Sequence, residues 1–90
     1  MTIPTYTKDP QAKLDFSIDW SDWLGADTIA TSTWTVPTGI TTVTSSNTTT
    51  TATLWLSGGT LGQRYLCTNH VITAGGRQED QSIVVVMESR

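Results

Sequence analysis

The chain has 90 residues, 37% of them apolar, which supplies one modest hydrophobic core and no second. It holds 19 Thr and 8 Ser, while Leu, Ala, Glu and Lys, the residues that fill helix surfaces, are sparse, so an all-helical fold is disfavoured. Five basic against eight acidic residues give a net charge of −3 with no basic run, which speaks against nucleic acid and against phosphate binding.

A single cysteine, Cys67, forms no intrachain disulfide, so packing must hold the domain together. No stretch approaches the roughly 20 apolar residues of a membrane span. The opening MTIPTYTKDP lacks the charged-then-apolar layout of a signal peptide, and the chain is expected to be made and assembled in the cytosol.

Residues 1–12 contain Pro4, Pro10 and the lone aromatic Tyr6 without periodicity, and are read as an extended arm preceding a domain over 13–90. Leu14, Phe16, Ile18 and Trp20 then alternate with Asp15, Ser17 and Asp19, the period-2 pattern of a half-buried strand. Ser21 to Gly25 reads as one helical turn, capped by Ser21 and ended by Gly25. Thr28 to Val36 is β-branched and stops at Pro37, Thr38, Gly39; because Ile29 and Trp34 differ in parity, a β-bulge near Ser32 is expected.

Ile40 to Ser45 is a short Thr-rich strand, with a turn at Ser45, Ser46 and Asn47. Thr48 to Ser57 follows, with Ala52, Leu54 and Leu56 on its inner face and Trp55 on the other. After the Gly58, Gly59, Gly62 turn, Gln63 to Thr73 alternates Tyr65, Cys67, Asn69 and Val71 with Leu66, Thr68, His70 and Ile72, so both faces carry bulk. Ala74 to Asp80 is a hairpin loop, and Ser82 to Glu88 closes the chain with an apolar run that reads as central or doubly covered.

About seven short strands spaced by turn signals point to an all-β, immunoglobulin-like β-sandwich with an extended N-terminal arm. Its expected core is Phe16, Ile18, Trp34, Leu54, Leu56, Tyr65, Cys67 and Val85, with the Tyr65 hydroxyl tying down the corner at Gly62. A small oligonucleotide-binding barrel ranks below it, since the chain offers no basic, aromatic-lined face.

Catalytic chemistry finds no constellation. His70 and Cys67 leave opposite faces of one strand and form no dyad, and Cys67 reads as a core residue. Asp15, Ser17 and Asp19 begin like a calcium loop, but Trp20 occupies the position that needs Gly. Gly58, Gly59 and Gly62 form a turn, with no helix after them to bind a dinucleotide. Asn47, Thr48, Thr49 matches a glycosylation sequon that a cytosolic chain does not expose to that machinery. No catalytic, cofactor or metal site is therefore assigned. Four Trp exceed what a minimal core requires; Trp23 on the turn and Trp55 on an outward face are candidate partner contacts, as are the isolated Ile3 and Tyr6 of the arm.

Taken together, Asp9, Pro10, Leu14, Asp15, Phe16 and the run Asp19, Trp20, Ser21, Asp22, Trp23, Leu24 resemble the opening of small tailed-phage proteins known as fiber-tail adaptor proteins. Ser32 to Gly39, Leu56 to Gly62 with Tyr65, Asn69, Ile72 and Thr73, and Gly76, Arg77 and Ser82 are similar to later motifs of that family, so the resemblance spans the chain from Lys8 onward. It implies a structural virion protein without enzymatic activity, synthesised in the infected bacterium, with tail and fiber proteins as partners and no nucleic acid or membrane. Two roles follow: a connector joining fiber to tail, or an immunoglobulin-like decoration protein on the capsid, with a small enzyme subunit a distant third. A symmetric multi-copy assembly is expected, because one domain of this size has too little surface to bridge two large components alone.

Overall fold

Strand alternation decides which side chains are enclosed, and the enclosed set here belongs to two sheets. In a computed structural model that describes residues 3–89, seven strands form: β1 (Thr5–Lys8), β2 (Leu14–Asp19), β3 (Ile29–Thr35), β4 (Ile40–Asn47), β5 (Thr51–Gly58), β6 (Arg64–Thr73) and β7 (Gln78–Met87). A one-turn helix, α1 (Ser21–Leu24), links β2 to β3. One sheet has the order β1-β7-β6-β3 and the other β2-β5-β4, the two-layer arrangement of an immunoglobulin-like sandwich. Phe16 and Ile18 of β2, Ala52, Leu54 and Leu56 of β5, Tyr65, Cys67 and Val71 of β6, and Ile83, Val85 and Met87 of β7 are buried between the layers.

The Tyr65 hydroxyl accepts a hydrogen bond from the Thr60 backbone N–H at 2.9 Å, so the corner anticipated around Gly62 is closed as expected. The Tyr65 ring crowds Gly39, where a Cβ would lie 3.3 Å from the ring and its hydroxyl, and the φ of +106° there is one that side chains rarely adopt. The bulge in β3 falls between Ile29 and Thr31, slightly ahead of the position expected from parity.

Several local expectations are corrected. Residues 1–12 were expected to stand outside the sandwich, yet Thr5–Lys8 pairs in parallel with β7, Thr5 opposite Val84 and Lys8 opposite Met87. The Lys8 side chain is fully buried, its Nζ donating to the carbonyls of Gly58 at 2.8 Å and Asp9 at 3.0 Å, so it joins β1 to the end of β5 in the opposite sheet. Burial lowers the pKa of this ammonium, while the carboxylate of Asp9 acts in the opposite direction. The turn expected at Ser45 to Asn47 lies instead at residues 48–50, where Thr48 Oγ1 accepts from the N–H groups of Thr50 and Thr51, and β4 runs on through Asn47. The last hairpin loop is shorter than expected, because Gln78, Glu79 and Asp80 already pair with β6. Trp34, expected in the core, is half-buried at its margin beside Val36, and its Nε1 has no hydrogen-bond partner among the described residues. Ser21, expected to cap α1, is instead its first residue: the N-cap is Trp20, without a side-chain cap, and the Asp19 carboxylate before it accepts from the Ser21 N–H at 2.9 Å.

Asn69 of β6 is a second buried polar group that reaches across the layers. Its Oδ1 accepts from the Trp20 indole Nε1 at 3.0 Å, and its Nδ2 donates to Ser32 Oγ at 2.8 Å and to the Thr33 carbonyl at 3.0 Å. Replacing it by Ala leaves a buried indole N–H unpaired, so Asn69→Ala is expected to cost about 2–3 kcal/mol in urea unfolding; an unchanged midpoint would refute the role. Deleting residues 1–8 removes an edge strand and the Lys8 contact with Gly58. The truncated chain is expected to lose at least about 2 kcal/mol of stability, and a truncation that melts with the full-length chain would show β1 to be dispensable.

Candidate functional site

The functional side chains singled out from the sequence fall into three places. The first is the α1 corner. Trp23 is half-buried, its ring packed edge-on against Trp20 with centroids 5.3 Å apart, and the Arg77 guanidinium lies 4.4 Å above it. Arg77 also donates to the carbonyls of Trp23 at 3.2 Å and Leu24 at 2.8 Å and to Asp27 Oδ2 at 3.3 Å, satisfying carbonyls that a single helical turn leaves open. Asp27 in turn accepts from the N–H groups of Thr28 at 2.9 Å and Gly75 at 3.1 Å. Hydrogen bonding from the Thr73 side chain, with these amides and Arg77, holds the Asp27 carboxyl down at about 2.

The second place is the outer face of the three-stranded sheet. Trp55 stands there half-buried on the central strand β5, between Asp15 of β2 and Thr44 of β4, with Ser17 and Thr53 hydrogen-bonded at 3.0 Å on the next level. β4 beside it is exposed from Thr41 to Asn47, carries no charge, and presents Val43 at a register shift. The third is the β1 edge, where Ile3 is exposed and Tyr6 is exposed on one side while its ring lies 5.3 Å from that of Phe16. The four residues therefore do not converge on one surface.

The outer face of the four-stranded sheet is the surface the sequence reading did not assign. Leu66 is 51% exposed there, directly opposite half-buried Val84, and Val86 lies opposite Arg64 on the next level. The signal was present as bulk on both parities of β6 and as the unbroken apolar run of β7. β7 is central, between β1 and β6, and its inner residues are buried, but the outward Ser82, Val84 and Val86 are only half-buried. His70 is on the same face, its Nδ1 against Asp80 and its Nε2 3.2 Å from Gln78 Oε1. The hydrogen bond to Asp80 raises its pKa. Cys67, on the opposite parity, points inward, where burial pushes its thiol up to about 11.

A family model described as Podophage GP4 fiber-tail adaptor protein gp77 matches residues 8–86. The chain belongs to that family. The match begins at Lys8, the buried end of β1, and ends at Val86 of β7, so it spans nearly the whole sandwich, and it makes the chain a phage protein of structural, adaptor type. No curated protein matches the sequence. Among solved structures, the chain is similar to the solution structure of the PKD domain from KIAA 1837 protein, with a TM-score of 0.58 and 18% identity, covering 98% of this chain and 81% of that one. That likeness shows the all-β, immunoglobulin-like fold.

Two of the segments that carry the family resemblance, the run from Asp19 to Leu24 and the pair Gly76, Arg77, meet at the α1 corner, which explains their residue types as one interlocked unit. Asp15, Ser17 and Asp19 lie on the exposed face of β2, with Asp19 accepting from the Ser21 N–H at the start of α1. No helix among the described residues is long and apolar enough to cross a membrane. Because the Asp27 pKa is depressed in the folded chain, its contribution to stability is present above the unfolded value near 3.9 and is lost as pH falls towards about 2. Thermal melts of the wild type are expected to drop steeply between pH 4 and pH 2. Asp27→Asn should melt lower at pH 7 and with a shallower acid dependence, and parallel acid profiles for the two would contradict this.

Proposed function

We propose that this chain is a non-enzymatic connector that joins fibers to the tail of a podophage virion, in several symmetric copies, after synthesis in the host cytoplasm. The observation that carries the reading is the family match across the sandwich from Lys8 to Val86, which assigns the adaptor class to the domain as a whole. The physical character of the surface supports it. The outward residues of β4 and β5 are mostly hydroxyls, which remain soluble when unpaired and hydrogen-bond when docked, and a Trp stands among them as an anchor.

Trp55 is the leading contact residue in this reading, because its ring is not part of the hydrophobic core and two neighbouring strands hold it in place. Ile3 and Tyr6 on the β1 edge form a second contact, suited to a partner that packs along that edge. Trp23 contributes from the α1 corner, where Trp20 and Arg77 already engage much of its ring. Fiber and tail proteins are the partners, and neither nucleic acid nor a membrane has a role.

Trp55→Glu is expected to leave the fold intact, since the side chain faces outward, and to deplete the protein from particles at least about tenfold in quantitative blotting of purified virions. Incorporation at wild-type level by folded Trp55→Glu would remove Trp55 from the contact. Density for the chain in a particle reconstruction is expected at the junction of tail and fibers. Density confined to the capsid surface would replace the connector reading with the decoration one.

A further inference from the structure

We infer that the outer face of the four-stranded sheet is where two copies of this chain pair, back to back, about a two-fold axis that lies between β6 and β7 and runs parallel to them. The inference does not depend on which fiber or tail component the chain meets. It starts from the register of the β6–β7 hairpin, which places Leu66 opposite Val84, Thr68 opposite Ser82 and His70 opposite Asp80, all on the outer face. A two-fold axis between the strands carries each residue onto the level of its own cross-strand partner in the second copy. Leu66 then covers the second copy's Val84, hydroxyl meets hydroxyl at Thr68 and Ser82, and each imidazole lies over a carboxylate. These three levels are each their own complement, which is the requirement for an isologous contact, and exposed Arg64, opposite Val86 at the first position of β6, marks the margin of the patch.

The levels are also ordered as an interface needs them. The apolar level carries an exposed Leu66 and no charge, so its burial is favourable. Thr68 and Ser82 are hydrogen-bonded to each other at 2.9 Å, and the one hydroxyl hydrogen this bond leaves over meets the hydroxyls of the second copy when covered. His70 Nδ1 and Asp80 are paired within each copy, and stacking the two pairs head to tail sets each imidazole over a carboxylate instead of carboxylate over carboxylate. The four strands cover about 500 Å² of sheet in each copy at ordinary strand spacing. Two copies therefore bury about 1,000 Å², the lower bound of a specific contact, and the expected dimer is weak on its own and strengthened where copies are held together. The other large exposed hydrophobic side chains among the described residues, Ile3, Tyr6, Val43 and Leu61, stand on an edge, a bulge and a turn.

The test uses the full chain in sedimentation velocity from about 10 µM to 1 mM, with strand content checked by circular dichroism. The wild type is expected to show a monomer–dimer equilibrium. Leu66→Asp and Val84→Lys, both outward-facing, should each weaken it at least about tenfold, because each buries two unpaired charges in its own homodimer. Mixing these two variants should restore dimer, since the proposed axis places the Asp of one chain over the Lys of the other; Leu66→Ser serves as a milder second variant if Asp disturbs the fold. A wild-type chain that stays monomeric at 1 mM, a dimer insensitive to Leu66 and Val84 substitutions, or a mixture that dimerises no better than its components would overturn the inference. The same holds for a particle reconstruction with a different protein seated on this face.

Discussion

The arrangement of this sandwich depends on one buried carboxamide. Asn69 sits among apolar neighbours on β6, and a carboxamide there is tolerable only when its hydrogen-bonding capacity is filled. Its two polar atoms are satisfied by different layers: Trp20 at the end of β2 from one side, and Ser32 and the Thr33 carbonyl of β3 from the other. Apolar packing brings the sheets together without direction, whereas this bond selects one relative placement of β2 over β6. The α1 corner inherits that placement, because Trp20 is the platform for Trp23, and Trp23 in turn lies under Arg77.

Lys8 does comparable work roughly 20 Å further along the sheet. Its ammonium is enclosed and satisfied by carbonyls, one of them from β5 in the opposite layer, so it fastens the otherwise short β1 to the second sheet. Between these two polar ties the core is apolar and needs no disulfide, which suits a chain whose only thiol is buried. The consequence for function is a rigid block whose outer faces and edges are available for contacts.

Much of this was legible before any coordinates. The alternation of Leu14, Phe16, Ile18 and that of Tyr65, Cys67, Asn69, Val71 correctly placed inner and outer faces, because strand parity is a local property. The Tyr65 corner and the β3 bulge were likewise readable from short-range pattern. β1 was not, since a four-residue strand is too short to show a period, and its partner β7 lies some eighty residues away in parallel, with no hairpin turn to announce it. The β4–β5 turn was misplaced by three residues because a run of Ser, Asn and Thr offers turn chemistry at every position, and only pairing with Leu54, Thr53 and Ala52 chooses among them.

Residue order along the chain was enough for the fold class, the inward sets on β2, β5 and β6, and the family, since alternation and short motifs are local properties. What the tertiary structure alone decided is which polar residues are enclosed and which apolar residues are left outside. Lys8 and Asn69 are buried although their types favour water, because carbonyls and an indole N–H from distant segments meet them. Leu66 remains exposed and Val84 only half-buried although their types favour burial, because they lie on the outer face of a two-layer sandwich whose inner faces are already filled. Burial of a side chain depends on what long-range pairing brings to it, and that information is not held in the neighbours along the chain.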